Sequence, residues 1–230
     1  MNTGPETDLR LAVSVALGTA AYATLAGTAA ADAVRFDNDG SFAAVNNILD
    51  ITRPAASQAG GNPYALTGTE VRFAYGYDVY SPYYTQSYST IQAGAGVATR
   101  SNPSLFVKAF DAGDLIGGSE SFLAGGRTMY ELYVNCWDIY YGGGCTNQYP
   151  GDFISDGTVQ YAGVLLDIAG QMHYGWVGVV HNGSSYDFDV VAWGYETTPN
   201  TPVAAGAPTP STLAGLALGA AAFSGRKRRD

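Results

Sequence analysis

The segment VQYAGVLLDIAGQMHYGWVGVVHNGSSYDFDVVAWGY, residues 159–195, carries the clearest structural signal in the chain. It contains three runs rich in β-branched and aromatic residues, which are residues 159–168, 173–180 and 186–195. The breaks between them are Ala169-Gly170 and Asn182-Gly183-Ser184. Short breaks that contain glycine are typical of hairpin turns. The segment therefore predicts three consecutive antiparallel strands.

An alternating pattern upstream predicts another strand. Val71, Phe73, Tyr75 and Tyr77 alternate with polar or small residues, so we expect these four side chains in the core. Further strand candidates are residues 105–110 and 129–134, while residues 43–51 fit either a strand or a short helix. Many short strands, frequent turns with glycine and abundant Tyr, Val and Thr predict an all-β fold, an antiparallel β-sandwich or jelly-roll-like domain.

The charge of the middle segment limits its partners. Residues 34–200 contain 16 acidic and six basic side chains, a net charge of −10. Binding to phosphate backbones or anionic headgroups depends on Lys and Arg, so nucleic acid is not an expected partner. We interpret these 167 residues as one β domain with its own core.

The first 33 residues have the composition of a secretory signal peptide, which we expect as an N-terminal signal helix. Arg10 precedes the apolar run 11–17, and small residues continue to Ala33. Because small residues at alternate positions suit signal peptidase, cleavage is expected after Ala31 or after Ala33. A buried Ala-rich helix is the alternative. The export machinery and signal peptidase are the expected partners.

The C-terminal residues 201–230 read as a linker followed by a sorting or anchor signal. Pro208-Thr209-Pro210 precedes the apolar run 212–223, which predicts a short helix somewhat shorter than a membrane span. A basic cluster closes the chain and acts as a stop signal retained in the cytoplasm. Its residues are Arg226, Lys227, Arg228 and Arg229. The alternatives are a disordered tail or an ordinary single-pass anchor.

This order of parts resembles the PEP-CTERM sorting signal, with Thr209 at the position where that family has Glu. The resemblance implies recognition by an exosortase-type membrane protease, transient anchoring in the inner membrane, and then delivery to the cell surface or the extracellular space. Residues 161–164, 173–177 and 191–196 also resemble a domain found in front of such signals. That second resemblance implies a cellular address and a β fold, and it offers no catalytic residues to carry over.

The two cysteines, Cys136 and Cys145, bracket eight residues rich in glycine and tyrosine. In an oxidising, exported setting such a pair favours a structural disulfide that pins a hairpin. Unpaired thiols or a metal or redox role are the alternatives.

The search for catalytic chemistry finds little. His173 and His181 lie eight residues apart on the same face of one predicted strand, too far apart to share a metal, and His173 is interpreted as a packing residue. Asp187 and Asp189 could pair as in glycosidases, but alternating acids usually form the solvated side of a strand. The residues Asp37-Asn38-Asp39-Gly40 favour a turn over a calcium loop. We expect no enzyme, no cofactor and no metal.

Tyrosines offer the alternative function. Residues 75–88 contain six of them, and Tyr80, Tyr83 and Tyr84 surround Pro82 in a predicted loop. Exposed tyrosines stack on sugar rings and contact proteins at low entropic cost. The sequence therefore predicts a noncatalytic exported surface or extracellular-matrix protein, with a carbohydrate- or exopolysaccharide-binding module as the alternative. A secreted hydrolase is a weaker hypothesis.

Overall fold

Antiparallel strands make up the fold of this protein in a computed structural model. The structure describes residues 33–40, 48–62, 64–81, 84–101, 105–136, 144–148, 151–154, 156–181 and 188–208. Its strands are β1 (Ala33–Asp37), β2 (Ile48–Asp50), β3 (Glu70–Ser81), β4 (Tyr84–Ala93), β5 (Gly96–Thr99), β6 (Ala109–Phe110), β7 (Leu115–Ile116), β8 (Ser121–Leu123), β9 (Arg127–Cys136), β10 (Cys145–Gln148), β11 (Val159–Ile168), β12 (Gln171–His181), β13 (Phe188–Glu196) and β14 (Val203–Ala204). One short 3-10 turn, Ala55–Ser57, follows β2.

The predicted meander is confirmed. Strands β11, β12 and β13 are consecutive antiparallel neighbours in a seven-stranded sheet with the order β1-β13-β12-β11-β5-β8, and β6 also pairs with β11. The hairpin between β11 and β12 turns through Ala169 and Gly170, whose φ angles are 54° and 82°. Two positive φ angles match the right-handed twist of the flanking strands, and the Asp167 carboxylate accepts a hydrogen bond from the Gly170 amide.

A second sheet has five strands in the order β10-β9-β4-β3-β2. The long hairpin of β3 and β4 forms its centre, and β9 pairs along the other side of β4. Strand β2 settles part of one open question, because residues 48–50 of the stretch 43–51 are extended.

Both sheets contribute to one hydrophobic core. The five-stranded sheet supplies Leu49, Val71, Phe73 and Ile91, and the seven-stranded sheet supplies Val97, Val164, Leu166, Val177 and Trp193. Each of these side chains is at most 5% exposed. Burying a large aliphatic side chain contributes about 1.5–3 kcal/mol, so this shared interior is the main source of stability. The all-β prediction is confirmed, and the two sheets form a sandwich-like fold.

The seven-stranded sheet is also covered on its other face. Tyr161 and Trp176 lie there edge-to-face, with ring centroids 5.4 Å apart. The end of the described chain packs onto them, since Val203, Ala205 and Ala207 are at most 5% exposed and join this second cluster. The folded part therefore continues past residue 200, where the sequence analysis placed the start of a linker. A sheet buried on both faces also explains why β11 and β12 read as nearly continuous apolar runs.

The expected signal helix and the expected short C-terminal apolar helix lie outside the described residues.

The expectation that Tyr75 and Tyr77 belong to the core is wrong, because they are 42% and 59% exposed. Val71 and Phe73 face apolar Ala93 and Ile91 across the hairpin, whereas Tyr75 and Tyr77 face Ser89 and Ser87. The apolar alternation of β3 thus meets apolar cross-strand residues only in its first half.

Candidate functional site

The predicted sorting signal begins at Pro208, which is exposed and directly follows the buried Ala207. The backbone just before it is held in place, because Arg35 Nη1 donates a hydrogen bond to the Gly206 carbonyl oxygen at 2.9 Å. The remaining residues of the signal, Thr209, Pro210, Arg226, Lys227, Arg228 and Arg229, lie outside the described ranges.

The two cysteines lie at disulfide distance, as the sequence predicted. Cys136 ends β9 and Cys145 begins β10, and the two residues are directly opposed in the antiparallel ladder. Their sulfur atoms are 2.02 Å apart, and their Cα atoms are 4.0 Å apart. The cross-link ties the edge strand β10 to its only neighbour in the five-stranded sheet.

The predicted tyrosine loop is a hairpin instead. Tyr80 lies within β3, beside a register shift between Val79 and Ser81, and Tyr84 begins β4 and is half-buried. Placing Tyr80 and Tyr84 in a loop was therefore wrong, because β3 runs to Ser81 and its antiparallel partner β4 already begins at Tyr84. Tyr83 lies outside the described residues, and the ligand contact of these three tyrosines stays a prediction.

A different tyrosine surface is exposed. Tyr75 and Tyr77, which we call the exposed tyrosine pair, lie two residues apart on one face of β3. Val79 follows on the same face and is 60% exposed. Two rings and an aliphatic side chain form an apolar stripe along the strand, the kind of surface on which sugars or protein side chains stack.

The two histidines are buried packing residues. His173 Nδ1 lies 2.8 Å from the Glu196 carbonyl oxygen, and its ring meets Tyr195 edge-on. His181 lies against the ring of Tyr130, with centroids 4.2 Å apart. Both face the same side of β12, and the interpretation of His173 as a packing residue is confirmed.

The remaining candidate chemical groups are only partly within the described residues. Asp189 is exposed on β13, and Asp187 lies outside the described part of the chain. Residues 37–40 form a turn in which the Asn38 side chain accepts a hydrogen bond from the Gly40 amide, so the turn interpretation is confirmed. Among the residues that the structure describes, no group of three or more His, Cys, Asp or Glu could hold a metal ion.

A polar pocket of about 410 Å³ lies beside β5 and β8. Its lining residues are Thr99, Arg100, Ser101, Lys108, Ser119, Glu120, Ser121 and Asp152. Thr99 is 3% exposed, and its hydroxyl donates to the carbonyl oxygen of Ser121 at 3.2 Å. We call this the serine pocket. Its residues come from four separate segments of the chain, which is why no motif revealed it.

Two ion pairs belong to the serine pocket. Arg100 Nη1 lies 3.3 Å from Asp152 Oδ1, and Lys108 Nζ lies 3.1 and 3.0 Å from the two carboxylate oxygens of Glu120. The Lys108 ammonium also lies 4.6 Å from the centroid of the Phe110 ring. The pocket therefore holds two of the six basic residues of this acidic domain and is itself neutral.

A smaller pocket, about 120 Å³, lies beside β2, and several of its lining residues contact one another. The Gln58 side chain accepts from the Asp50 amide and donates to the carbonyl oxygens of Asp50 and Arg53. Arg53 also pairs with the Asp50 carboxylate at 3.0 Å. These hydrogen bonds and the ion pair connect Asp50, Arg53 and Gln58 within the lining of the pocket. Partial burial, and then the same Asp50 carboxylate, raise the pKa of Tyr195 above its usual value.

Comparisons with protein-family models, with curated proteins and with solved structures found no match to this chain. Within the described ranges, no helix is both long enough and apolar enough to cross a membrane. Most of the predicted signal peptide, residues 1–33, and all of the apolar run 212–223 lie outside the described ranges.

Proposed function

We propose that this chain is a noncatalytic, exported cell-surface or extracellular-matrix protein that is processed at its C-terminal sorting signal. The observation that supports the proposal is the change in burial at the start of the predicted signal. Ala207 is buried in the domain, whereas Pro208, the first residue of Pro208-Thr209-Pro210, is exposed. A processing enzyme needs an extended and accessible segment, and prolines favour one.

The cysteine pair supports export. Disulfides persist in oxidising compartments and are rare in the cytosol. Cys136 and Cys145 are directly opposed and within bonding distance, so oxidation requires no rearrangement of the backbone. In this proposal the chain passes through the inner membrane with its signal helix, is held there by its apolar C-terminal helix, and is then released by an exosortase-type protease.

Cellular fractionation with mass spectrometry tests the proposal. A tag can be inserted in the turn at Gly125 and Gly126, where an added side chain would meet no atom within 4 Å. We expect the mature wild-type protein to lack the residues that follow the Pro208-Thr209-Pro210 motif. Deletion of residues 208–230 should abolish the membrane-bound intermediate. A mature protein that retains the whole tail would contradict sorting and leave a plain membrane anchor.

Thr209 provides the matched variants for this experiment. Thr209→Glu restores the carboxylate that the resembled signal contains, and we expect it to speed release from the membrane fraction. Thr209→Val keeps the shape of threonine but removes its hydroxyl, and it serves as the control. Equal release rates for both variants would show that position 209 does not take part in recognition.

The second candidate function is polysaccharide binding, which the exposed tyrosine pair favours. Tyr75 and Tyr77 present ring surface on one strand face, where a sugar chain could stack on both. Affinity electrophoresis against envelope polysaccharides would test it. We expect Tyr77→Ala to reduce retardation, and Tyr83→Ala or Tyr84→Ala to do so if the predicted ligand contact of Tyr80, Tyr83 and Tyr84 takes part. Tyr64→Ala removes a ring that is 94% exposed elsewhere and is the control.

A further inference from the structure

The serine pocket has the chemistry of a binding site for a neutral, polyhydroxylated ligand. We propose that it binds a saccharide unit through vicinal hydroxyl groups. This inference deepens the polysaccharide-binding candidate function and does not depend on processing of the tail. The volume of about 410 Å³ lies within the range of about 300–1,000 Å³ that is usual for small-molecule sites.

The two ion pairs define the class of ligand. Each pair sets a cationic donor beside a carboxylate acceptor, at 3.3 Å for Arg100 and Asp152 and at 3.0 Å for Lys108 and Glu120. A hydroxyl group both donates and accepts, so two neighbouring hydroxyls can give one hydrogen bond to the carboxylate and take one from the cation. Hydrogen bonds to charged groups are the strong ones, which suits a ligand that must give up water.

Charged ligands fit the same site less well. An anion has no donor for Asp152 and Glu120, and it would have to displace those carboxylates from Arg100 and Lys108. A cation meets the same obstacle with the signs reversed. The pocket is neutral while residues 34–200 carry a net charge of −10, so it is a place where a neutral ligand meets balanced donors and acceptors.

The donors are held in position but remain accessible. The Lys108 ammonium lies over the Phe110 ring, and the Arg100 guanidinium carbon lies 6.0 Å from the centroid of the Phe106 ring. The side chains of Lys108 and Arg100 are nonetheless 40% and 32% exposed. Lysine has three N–H donors, and two suffice for the oxygens of Glu120, so a donor remains for a ligand. Ser101, Ser119 and Ser121 add hydroxyls that rotate to suit the ligand.

Ligand-observed NMR on the full chain in mild detergent tests the inference. The probes are cellotetraose, maltotetraose, chitotriose and the anionic trigalacturonate. Ser119→Leu places an aliphatic side chain in the pocket and replaces no residue of either ion pair, and Ser57→Leu makes the same exposed substitution outside it. We expect at least one neutral probe to bind the wild type, with affinity about tenfold or more weaker in Ser119→Leu and unchanged in Ser57→Leu. Ser101→Leu repeats the test if Ser119→Leu does not fold.

The outcomes separate this inference from the tyrosine proposal. Loss of binding in Ser119→Leu but not in Tyr77→Ala supports the serine pocket. Loss in Tyr77→Ala with full binding in Ser119→Leu overturns the pocket and leaves polysaccharide binding at the exposed tyrosine pair. Binding of trigalacturonate alone overturns the neutral ligand class, and binding of no probe overturns the inference.

Discussion

Arg35 Nη1 donates a hydrogen bond to the carbonyl oxygen of Gly206, so β1 contacts the residues that directly precede the predicted sorting signal. The same guanidinium pairs with Asp37 at 2.6 Å and lies 5.8 Å from the centroid of the Trp176 indole ring. Gly206 has a φ of 70°, and a Cβ there would lie 2.6 Å from the Tyr161 hydroxyl oxygen. The position just before the predicted signal is thus fixed by two independent constraints.

We expect Arg35→Ala to loosen residues 203–207 without unfolding the core. The lost hydrogen bond and ring contact should cost about 1–2 kcal/mol, at the lower end because the side chain is partly exposed. Hydrogen exchange at the Ala205 and Ala207 amides, which bond to Asp114 and Ala204, should become roughly tenfold faster. Gly206→Ala should act on the same amides.

Arg72→Ala is the matched control for this experiment. Arg72 lies in the other sheet, where it donates a hydrogen bond to the Gln92 side chain at 2.7 Å. It should leave the exchange of Ala205 and Ala207 unchanged. If Arg35→Ala and Arg72→Ala affect these two amides equally, the contact between Arg35 and Gly206 does not hold residues 203–207 in place.

The disulfide should stabilise the protein by restricting the unfolded chain. Closing a loop with a sequence separation of 9 contributes about 2–3 kcal/mol in the chain-entropy description. We expect the double substitution Cys136→Ser and Cys145→Ser to lower the free energy of unfolding by that amount in urea titrations. Adding a reductant to the wild type should reproduce the shift and should leave the double variant unaffected. Identical urea midpoints with and without reductant would contradict a stabilising disulfide.

Local sequence patterns predicted the parts of the fold in which burial follows the strand period. Residues 159–195 were correctly predicted to form a meander. Their strands are rich in residues that become buried, such as Val177 and Trp193, and the Ala169-Gly170 break is a two-residue hairpin turn. Strand β4 was missed because its inward side includes Ser87 and Ser89, so it shows no apolar alternation although both side chains are at most 2% exposed.

The features closest to function could not be predicted in the same way. Strand β14 has two residues, and the Ala-rich composition around it resembles a linker until Ala205 and Ala207 are seen packed against Tyr161 and its neighbours. The serine pocket joins residues as far apart as Thr99 and Asp152, which only the tertiary fold brings together. Lys and Arg are scarce in residues 34–200, and this scarcity is the one feature of the sequence that draws attention to Arg100 and Lys108.

Tyr195 should make the protein less stable in alkali. Partial burial, and then the Asp50 carboxylate, raise the pKa of its hydroxyl from the usual value of 10.0. The folded state therefore holds this proton more tightly than the unfolded chain. The stabilisation is fully present below about pH 10 and is lost as the pH rises through the higher folded pKa.

Urea titrations between about pH 8 and about pH 11 would measure this effect. We expect Tyr195→Phe to flatten the alkaline fall in the free energy of unfolding, because the titrating hydroxyl is gone. Tyr64→Phe removes the hydroxyl of a side chain that is 94% exposed and should keep the wild-type slope. An alkaline slope that is the same in all three proteins would rule out a contribution from Tyr195.

The position of Ala33 selects between the two expected signal-peptidase sites. Ala33 is the first residue of β1, is 1% exposed and lies opposite Glu196 in the ladder. Cleavage after Ala33 would remove this buried methyl group and place a charged amino group on Val34, within the paired strand. Cleavage after Ala31 keeps β1 whole, so we expect the mature protein to begin at Asp32.

N-terminal sequencing of the exported protein checks this directly, and two substitutions separate the sites. Ala29→Gln places a large residue three positions before the cut after Ala31, whereas Ala33→Gln does so immediately before the cut after Ala33. We expect Ala29→Gln to impair maturation. Ala33→Gln should be processed normally, yet lower the free energy of unfolding by about 1–3 kcal/mol, because a polar side chain replaces a buried methyl group. A mature chain that begins at Val34 would show cleavage after Ala33 and contradict this prediction.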